Sequence, residues 1–391
     1  MTLPPPPTPE VVDRDDRLAG LAERWLREPA VGLDTEFVRE RTFFARLGLI
    51  QVADSEGCYL VDMVAITDRS PLLALVQAPD VTKVFHSPSE DLEIFHHALG
   101  CAPEPLFDCQ VAATLCGLGG SLGYVHLVSR LFDVELGKGV QRSNWLRRPL
   151  SEEQVRYAGL DVAYLLPACE RLQARLDESG RETWAEEEFD RLLQNARARL
   201  DPAWSYNRLR RPGMSRRQLA TLEALSAWRE GRARRRDVPR GFVLKDETLV
   251  DLARRLPRTA EDLVPVKNLG PRQARRYGPR LLELVRGARS LPEDRLPDRL
   301  ERSGRRSSSG LSDDLRKLVA GVAADLDVPA EFLVPRRTLE AWATRSLERG
   351  VWVWPAEVDG WRRSVLEPEV ERSGLLESGL ARIRRNRSLR R

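Results

Sequence analysis

Asp34 and Glu36 are the charges in an otherwise apolar or small run, VGLDTEF, residues 31–37. Successive strand side chains alternate between faces, so positions 34 and 36 share one face while Val31, Leu33, Thr35 and Phe37 take the other. Two converging carboxylates have two readings. One is the solvated face of an ordinary sheet; the other is a pair of hard oxygen donors for Mg²⁺ or Mn²⁺, which prefer carboxylate and bridge to substrate phosphates. Three further positions bear on the choice. Asp91, in HSPSEDLEIF (86–95), falls in the first turn of a helix that follows a short strand, where α/β sheets carry ligands; by itself it would equally complement the helix dipole. Tyr157 and Asp161, in VRYAGLDVAYLL (155–166), are four apart and share a helix face, although Tyr157 alone reads as a half-buried aromatic with a wet hydroxyl.

The elements that must position these groups follow from pattern. After a helical stretch around 15–27, β-rich runs at 31–37, 46–54 and 57–63, with Glu56-Gly57 as the turn between the last two, predict a meander. A helix over 71–78, a short strand over 82–86 and a helix over 89–99 capped by Ser87 or Ser89 follow. Further helices are expected at 109–117, 122–132 and 151–176. Strands first and strand-helix alternation afterwards imply a mixed sheet flanked by helices. The basic, aperiodic stretch 135–150 reads as a functional loop, with Trp145 as a packing anchor. From about residue 210 the pattern is wholly helical, with a linker near 291–310. There DVPRGFVLKDETLVDLARR (237–255) aligns with DVPAEFLVPRRTLEAWATR (327–345) at 8 of 19 positions, which predicts two copies of one helical module.

At 391 residues the chain exceeds one ordinary core, so two or three domains are expected. No run approaches the roughly 20 apolar residues of a membrane span, and the proline-rich N-terminus lacks the layout of a signal peptide; a cytoplasmic protein is expected. Five cysteines without a C-x-x-C pair argue against a disulfide framework or zinc ribbon, and the four histidines form no H-E-x-x-H. Charge is unevenly placed. Residues 1–200 hold 21 Lys and Arg against 32 Asp and Glu, whereas residues 201–391 hold 42 against 27. An acidic half suited to metals thus precedes a basic half suited to a polyanion, with Arg-dense runs at 229–236 and 270–280 that favour nucleic acid.

Taken together, DTEF, HSPSEDLE and YAGLDVAYL resemble the three exonuclease motifs of the DEDD superfamily, in the subgroup whose third motif is Y-x-x-x-D. LDTEFVRERTFFARLGLIQVAD, SEDLEIF, FDCQVAATLCG and NWLRRPLSEEQVRYAGLDVAYLLP together resemble the ribonuclease D family over about residues 28–295. The later helical stretch is similar to the HRDC module, and the repeat at 327–345 fits a second, diverged one. The proline-rich stretch over 1–12 reads as a disordered tail, and the resemblance implies an α/β ribonuclease H-like exonuclease domain over 13–200 after it, then all-α HRDC-type domains over 210–292 and 311–391.

It also implies Asp34, Glu36, Asp91 and Asp161 as ligands of two divalent ions, Mg²⁺ before Mn²⁺ or another, and Tyr157 as the group that positions the attacking water. Asn144, where an aspartate is frequent, and His126, at a usually apolar or small position, depart from the family pattern and bear on substrate fit. The implied activity is 3′-to-5′ exoribonuclease action on tRNA precursors and other small structured RNAs, with neither a membrane nor an obligate protein partner. Two alternatives stand beside it: a DNA exonuclease of the same fold, and an RNA-binding scaffold with an inactive nuclease domain.

Overall fold

The computed structural model describes residues 8–137, 143–299 and 309–388. By chain contacts it divides into two compact units, one comprising 1–37, 47–194 and 303–391, the other 38–46 and 195–302.

The first unit is built on a mixed six-stranded sheet in the order β1-β4-β3-β2-β5-β6. Its strands are β1 Glu10–Val12, β2 Ala30–Val38, β3 Arg46–Ala53, β4 Cys58–Asp62, β5 Thr82–Phe85 and β6 Leu106–Asp108. β3 and β4 are antiparallel, with Gln51 opposite Leu60, and β2, β3 and β4 are neighbours in chain order, so the expected meander forms. β5 lies parallel to β2 and to β6, because each connection passes through a helix. The turn between β3 and β4 is tied by Asp54, whose carboxylate accepts from the Glu56 and Gly57 backbone N–H groups at 2.8 and 2.9 Å.

Helices α1 Asp15–Trp25, α2 Ser70–Gln77, α3 Asp91–Leu99, α4 Cys109–Leu115, α5 Tyr124–Phe132, α6 Glu152–Ala163 and α7 Leu165–Glu178 accompany the sheet, and α8 Glu182–Leu200 follows. Leu33, Ile50, Leu60, Val84 and Leu165 are buried in the core they enclose.

Three expectations need correction. The tail over 1–12 is not structureless at its end, since Glu10–Val12 pair in parallel with β4 as β1; a three-residue strand leaves too short an alternation to read. The helix expected over 151–176 is two helices that meet at Tyr164, where the backbone leaves helical geometry at φ −110° and ψ 6°. The residue that caps α3 is Glu90, with no side-chain cap bond, rather than Ser87 or Ser89. Parts of the predicted 135–150 loop and of the 291–310 linker lie outside the described residues.

The first unit also holds the last helices, α14 Ser309–Asp325, α15 Ala330–Leu333, α16 Arg336–Arg349, α17 Trp361–Arg372 and α18 Leu375–Ser388. α17 is bound to α8 by a buried ion pair. Arg362 Nη2 donates to Glu188 Oε2 at 2.9 Å, the Trp361 indole donates to Glu188 Oε1 at 2.9 Å, and Trp361 stacks on Trp184 with ring centroids 4.7 Å apart.

The second unit is helical. α9 Trp204–Leu209, α10 Arg216–Arg236, α11 Arg240–Val243, α12 Asp246–Arg255 and α13 Pro271–Arg289 bury Leu219, Leu222, Leu249, Leu252 and Leu281. The segment 38–46, between β2 and β3, belongs to this unit. Phe43 is part of its apolar cluster, the Phe43 and Phe44 backbone N–H groups donate to Asp237 Oδ1 at 2.9 and 3.0 Å, and the Arg240 guanidinium covers the Phe43 ring at 4.5 Å.

Candidate active site

β2 carries Asp34 and Glu36 toward its carboxyl end, on the face that also bears Gly32. A side-chain carbon at Gly32 would stand 3.1 Å from Leu165 Cβ and 3.3 Å from Ala53 Cβ. The absence of a side chain therefore lets the junction of α6 and α7 lie close on this face of the sheet.

α6 brings the other half of the site. Its start is fixed by a reciprocal capping box, in which Ser151 Oγ accepts from Gln154 N at 3.2 Å and Gln154 Oε1 accepts from Ser151 N at 3.0 Å. Its end is fixed by Tyr124 of α5, whose hydroxyl donates to the Leu160 carbonyl at 3.1 Å and accepts from Tyr164 N–H at 3.0 Å. Between these two ties lie Tyr157 and Asp161, one turn apart, with the Tyr157 hydroxyl close enough to lower the Asp161 pKa.

Asp91 opens α3, just beyond β5. The turn leading to it carries Ser87 in left-handed backbone geometry, φ 60°, with its N–H held at 2.8 Å by the buried Asp108 carboxylate. Asp91 is itself buried, 9% exposed, and accepts from the Thr35 hydroxyl. Thr35 alternates with the acids on β2, so one strand supplies both Asp34 and Glu36 and, from the alternate position, a tether for Asp91.

These groups act on one another. Burial, followed by the charges of Asp91, Asp161 and Glu36, holds the Asp34 carboxyl well above the usual carboxylate range. Glu36 is pushed up to about 9 by burial and then by Asp161 and Asp91. Burial raises Asp91 to about 6 and Asp161 to about 7, the latter against the Tyr157 hydrogen bond. Tyr157 is raised above the ordinary phenol range by burial and by Asp161, Glu36 and Asp34. It therefore remains a hydroxyl at neutral pH and can orient a water but not deprotonate it.

The five expected residues are thus brought within electrostatic reach of one another. Among the described residues, no three His, Cys, Asp or Glu side chains already form a closed ligand group; Asp91 in particular is bonded to Thr35. The donor set still fits a hard divalent cation. It consists of carboxylate oxygen alone, and the principal influences on it are burial, acids, hydroxyls, backbone groups and the Trp145 indole, none of them a Lys or Arg.

Other side chains contribute that the sequence motifs do not mark as site residues. Thr35 and Tyr124 act through hydrogen bonds that only the tertiary structure reveals. Trp145, 1% exposed as a packing anchor should be, also reaches the site: its ring centroid is 6.2 Å from that of Tyr157 and its indole lowers the Glu36 pKa, although the N–H makes no well-aligned hydrogen bond. His126 is exposed on α5, and Asn144 accepts from Leu146 N at 3.2 Å within its own loop. A cavity of about 700 Å³ lies at the opposite end of β2, lined by Ala30, Ala53, Cys58 and Cys169, and contains none of the five.

A mixed sheet carrying D-x-E on one strand, an aspartate at the start of the helix after another, and Y-x-x-x-D on a helix across its face defines a 3′-to-5′ exonuclease. Residues 9–177 match the 3′-5′ exonuclease family and residues 218–285 match the HRDC domain. The chain is 38% identical to ribonuclease D of Pseudomonas paraeruginosa over 352 residues, covering 90% of this chain and 93% of that protein. It is 36% identical to ribonuclease D of Escherichia coli over 374 residues, covering 91% and 96%. The crystal structure of Escherichia coli RNase D, described as an exoribonuclease involved in structured RNA processing, superposes with a TM-score of 0.83 at 34% identity, over 95% of this chain and 99% of that one. The chain belongs to the ribonuclease D family.

Proposed function

We propose that the protein is a 3′-to-5′ exoribonuclease that trims the 3′ ends of tRNA precursors and other small structured RNAs. The observation that carries this reading is the electrostatic convergence of Asp34, Glu36, Asp91 and Asp161 with the Tyr157 hydroxyl.

The four carboxylates would hold two divalent cations, Mg²⁺ being the natural occupant, which would supply charge neutralisation at the reacting phosphate and an acidified water. Asp34 and Glu36 offer oxygens from a rigid strand, Asp91 from a helix start and Asp161 from α6. Tyr157, one helical turn from Asp161, directs the attacking water in line with the 3′-terminal phosphodiester. Water oxygen bonds to phosphorus as the bond to the 3′-oxygen of the penultimate nucleotide breaks. The products are a nucleoside 5′-monophosphate and an RNA one residue shorter ending in a 3′-hydroxyl. Residues 311–391 serve as a diverged HRDC-like module in addition to the one at 210–292, and the arginine-rich modules supply affinity through phosphate without reading sequence.

Incubation of the purified protein with 3′-extended tRNA and with matched single-stranded DNA, with Mg²⁺ or chelator, tests the proposal. Mononucleotides released from RNA only when Mg²⁺ is present are expected. Release in chelator, or faster digestion of the DNA, would reject it.

A further inference from the structure

Gln51 stands in the middle of the apolar strand β3, in LGLIQVA, and is 0% exposed. Neither its side-chain nitrogen nor its side-chain oxygen has a hydrogen-bond partner in the protein. A buried carboxamide with both ends unused is costly unless something uses it.

Its place on the sheet identifies the user. β2 and β3 are neighbours joined by the short connection 39–45, which permits only antiparallel pairing. A side-chain carbon on Gly32 would meet Ala53 Cβ at 3.3 Å, so Gly32 and Ala53 are opposite and on one face. Two residues along, the same register sets Asp34 opposite Gln51. On its other side Gln51 pairs with Leu60 of β4, an apolar residue with nothing to offer an amide. Gln51 thus occupies the position beside Asp34, on the face covered by α6.

We propose that Gln51 is a positioning residue for Asp34: with a cation in the cradle, its carboxamide N–H, which has no partner within the protein, turns to donate to one Asp34 oxygen and leaves the other aimed at the cation. The proposal rests on the metal-cradle reading above. A carboxylate that accepts a fixed hydrogen bond on one oxygen has fewer orientations to lose on ligation, and the outer partners of metal ligands are worth about 10- to 100-fold in affinity or activity.

The test uses the full chain as wild type and as Gln51→Met, Gln51→Glu and Asp34→Asn. Gln51→Met keeps length and apolar packing but has no amide; Gln51→Glu keeps shape but replaces the donor. Mn²⁺ binding is measured by electron paramagnetic resonance and calorimetry, melting is measured in chelator, and turnover is separated from KM.

For Gln51→Met we expect an unchanged or higher melting temperature in chelator, Mn²⁺ affinity lower by about 10-fold, and a fall in kcat with KM little moved. Gln51→Glu is expected to lose ordered Mn²⁺ binding as well, and it decides the matter if the methionine variant fails to fold. Wild-type Mn²⁺ affinity in either folded variant, with binding impaired in Asp34→Asn, would overturn the role of Gln51 alone. Wild-type Mn²⁺ binding in Asp34→Asn would overturn the cradle and the role of Gln51 with it.

Discussion

Burial and the charges of Asp91 and Asp161 disfavour the ionised forms of Asp34 and Glu36, and this ties activity to both metal and pH. Asp34→Asn and Asp91→Asn are expected to abolish Mg²⁺-dependent mononucleotide release while leaving the circular dichroism spectrum intact; full activity in either would remove that residue from the site. Tyr157→Phe should lower kcat at least about 10-fold, since the orienting hydroxyl is gone while the carboxylates stay, with Mn²⁺ affinity little changed. The sign of the pH effect follows from Glu36. Its folded pKa of about 9 lies above the value of about 4.3 in an unfolded chain, so the native state binds the extra proton between these limits. Its stabilising effect is present at low pH and is lost as pH rises from about 4 through about 9. In chelator, the wild-type melting temperature should therefore fall toward pH 9 more steeply than that of Glu36→Gln, and Mg²⁺ should reduce the difference. A steeper fall in the variant would contradict the arrangement.

At the scale of elements, what is legible in the sequence is what local periodicity carries. The shared face of Asp34 and Glu36 follows from alternation along one strand, and the shared face of Tyr157 and Asp161 from their one-turn spacing. Neither period states that these faces meet; that inference depends on the order and spacing of the motifs. Register and tertiary hydrogen bonds are out of its reach. Tyr124 reads like any aromatic at a helix start, yet its hydroxyl ties the end of α6 to the beginning of α7. Gln51 does leave a trace, as a lone amide in an apolar strand, but its neighbour can be named only once the strands are paired. Tyr124→Phe would take the hydroxyl acceptor from the Tyr164 N–H and the hydroxyl donor from the Leu160 carbonyl, at a cost of about 1–3 kcal/mol. It should lower the melting temperature and reduce kcat through the position of Asp161; no change in either would show that α6 is held by packing alone. The ion pair between α17 and α8 is more consequential for folding. Glu188→Ala leaves Arg362 buried without its carboxylate and should destabilise the first unit by about 3–5 kcal/mol, read by denaturant unfolding. A loss below about 1 kcal/mol would mean that water or relaxation replaces the carboxylate.

For the whole molecule the acidic and basic halves of the sequence do not coincide with the two compact units, because the basic C-terminal helices count with the sheet. Removing everything after residue 210 would therefore strip Glu188 of Arg362 and the segment 38–46 of Asp237 as well as removing positive charge, and a fall in RNA binding would have several causes. Charge reversal on α13 separates them. Arg272 and Arg275 are exposed there and lie outside the cradle, so Arg272→Glu with Arg275→Glu alters the basic surface without opening a core. If α13 meets the phosphate backbone, every phosphate it no longer neutralises should reduce the slope of log affinity against log salt by about 0.7 for a single strand. Binding should weaken by a similar factor for RNAs of unrelated sequence, because phosphate contacts position without specifying. The rate on a saturating short oligonucleotide, which need only occupy the cradle, should remain that of the wild type. An unchanged salt slope with normal folding would assign these arginines to another task, whereas weakening confined to one RNA sequence would mean that α13 reads bases rather than phosphates.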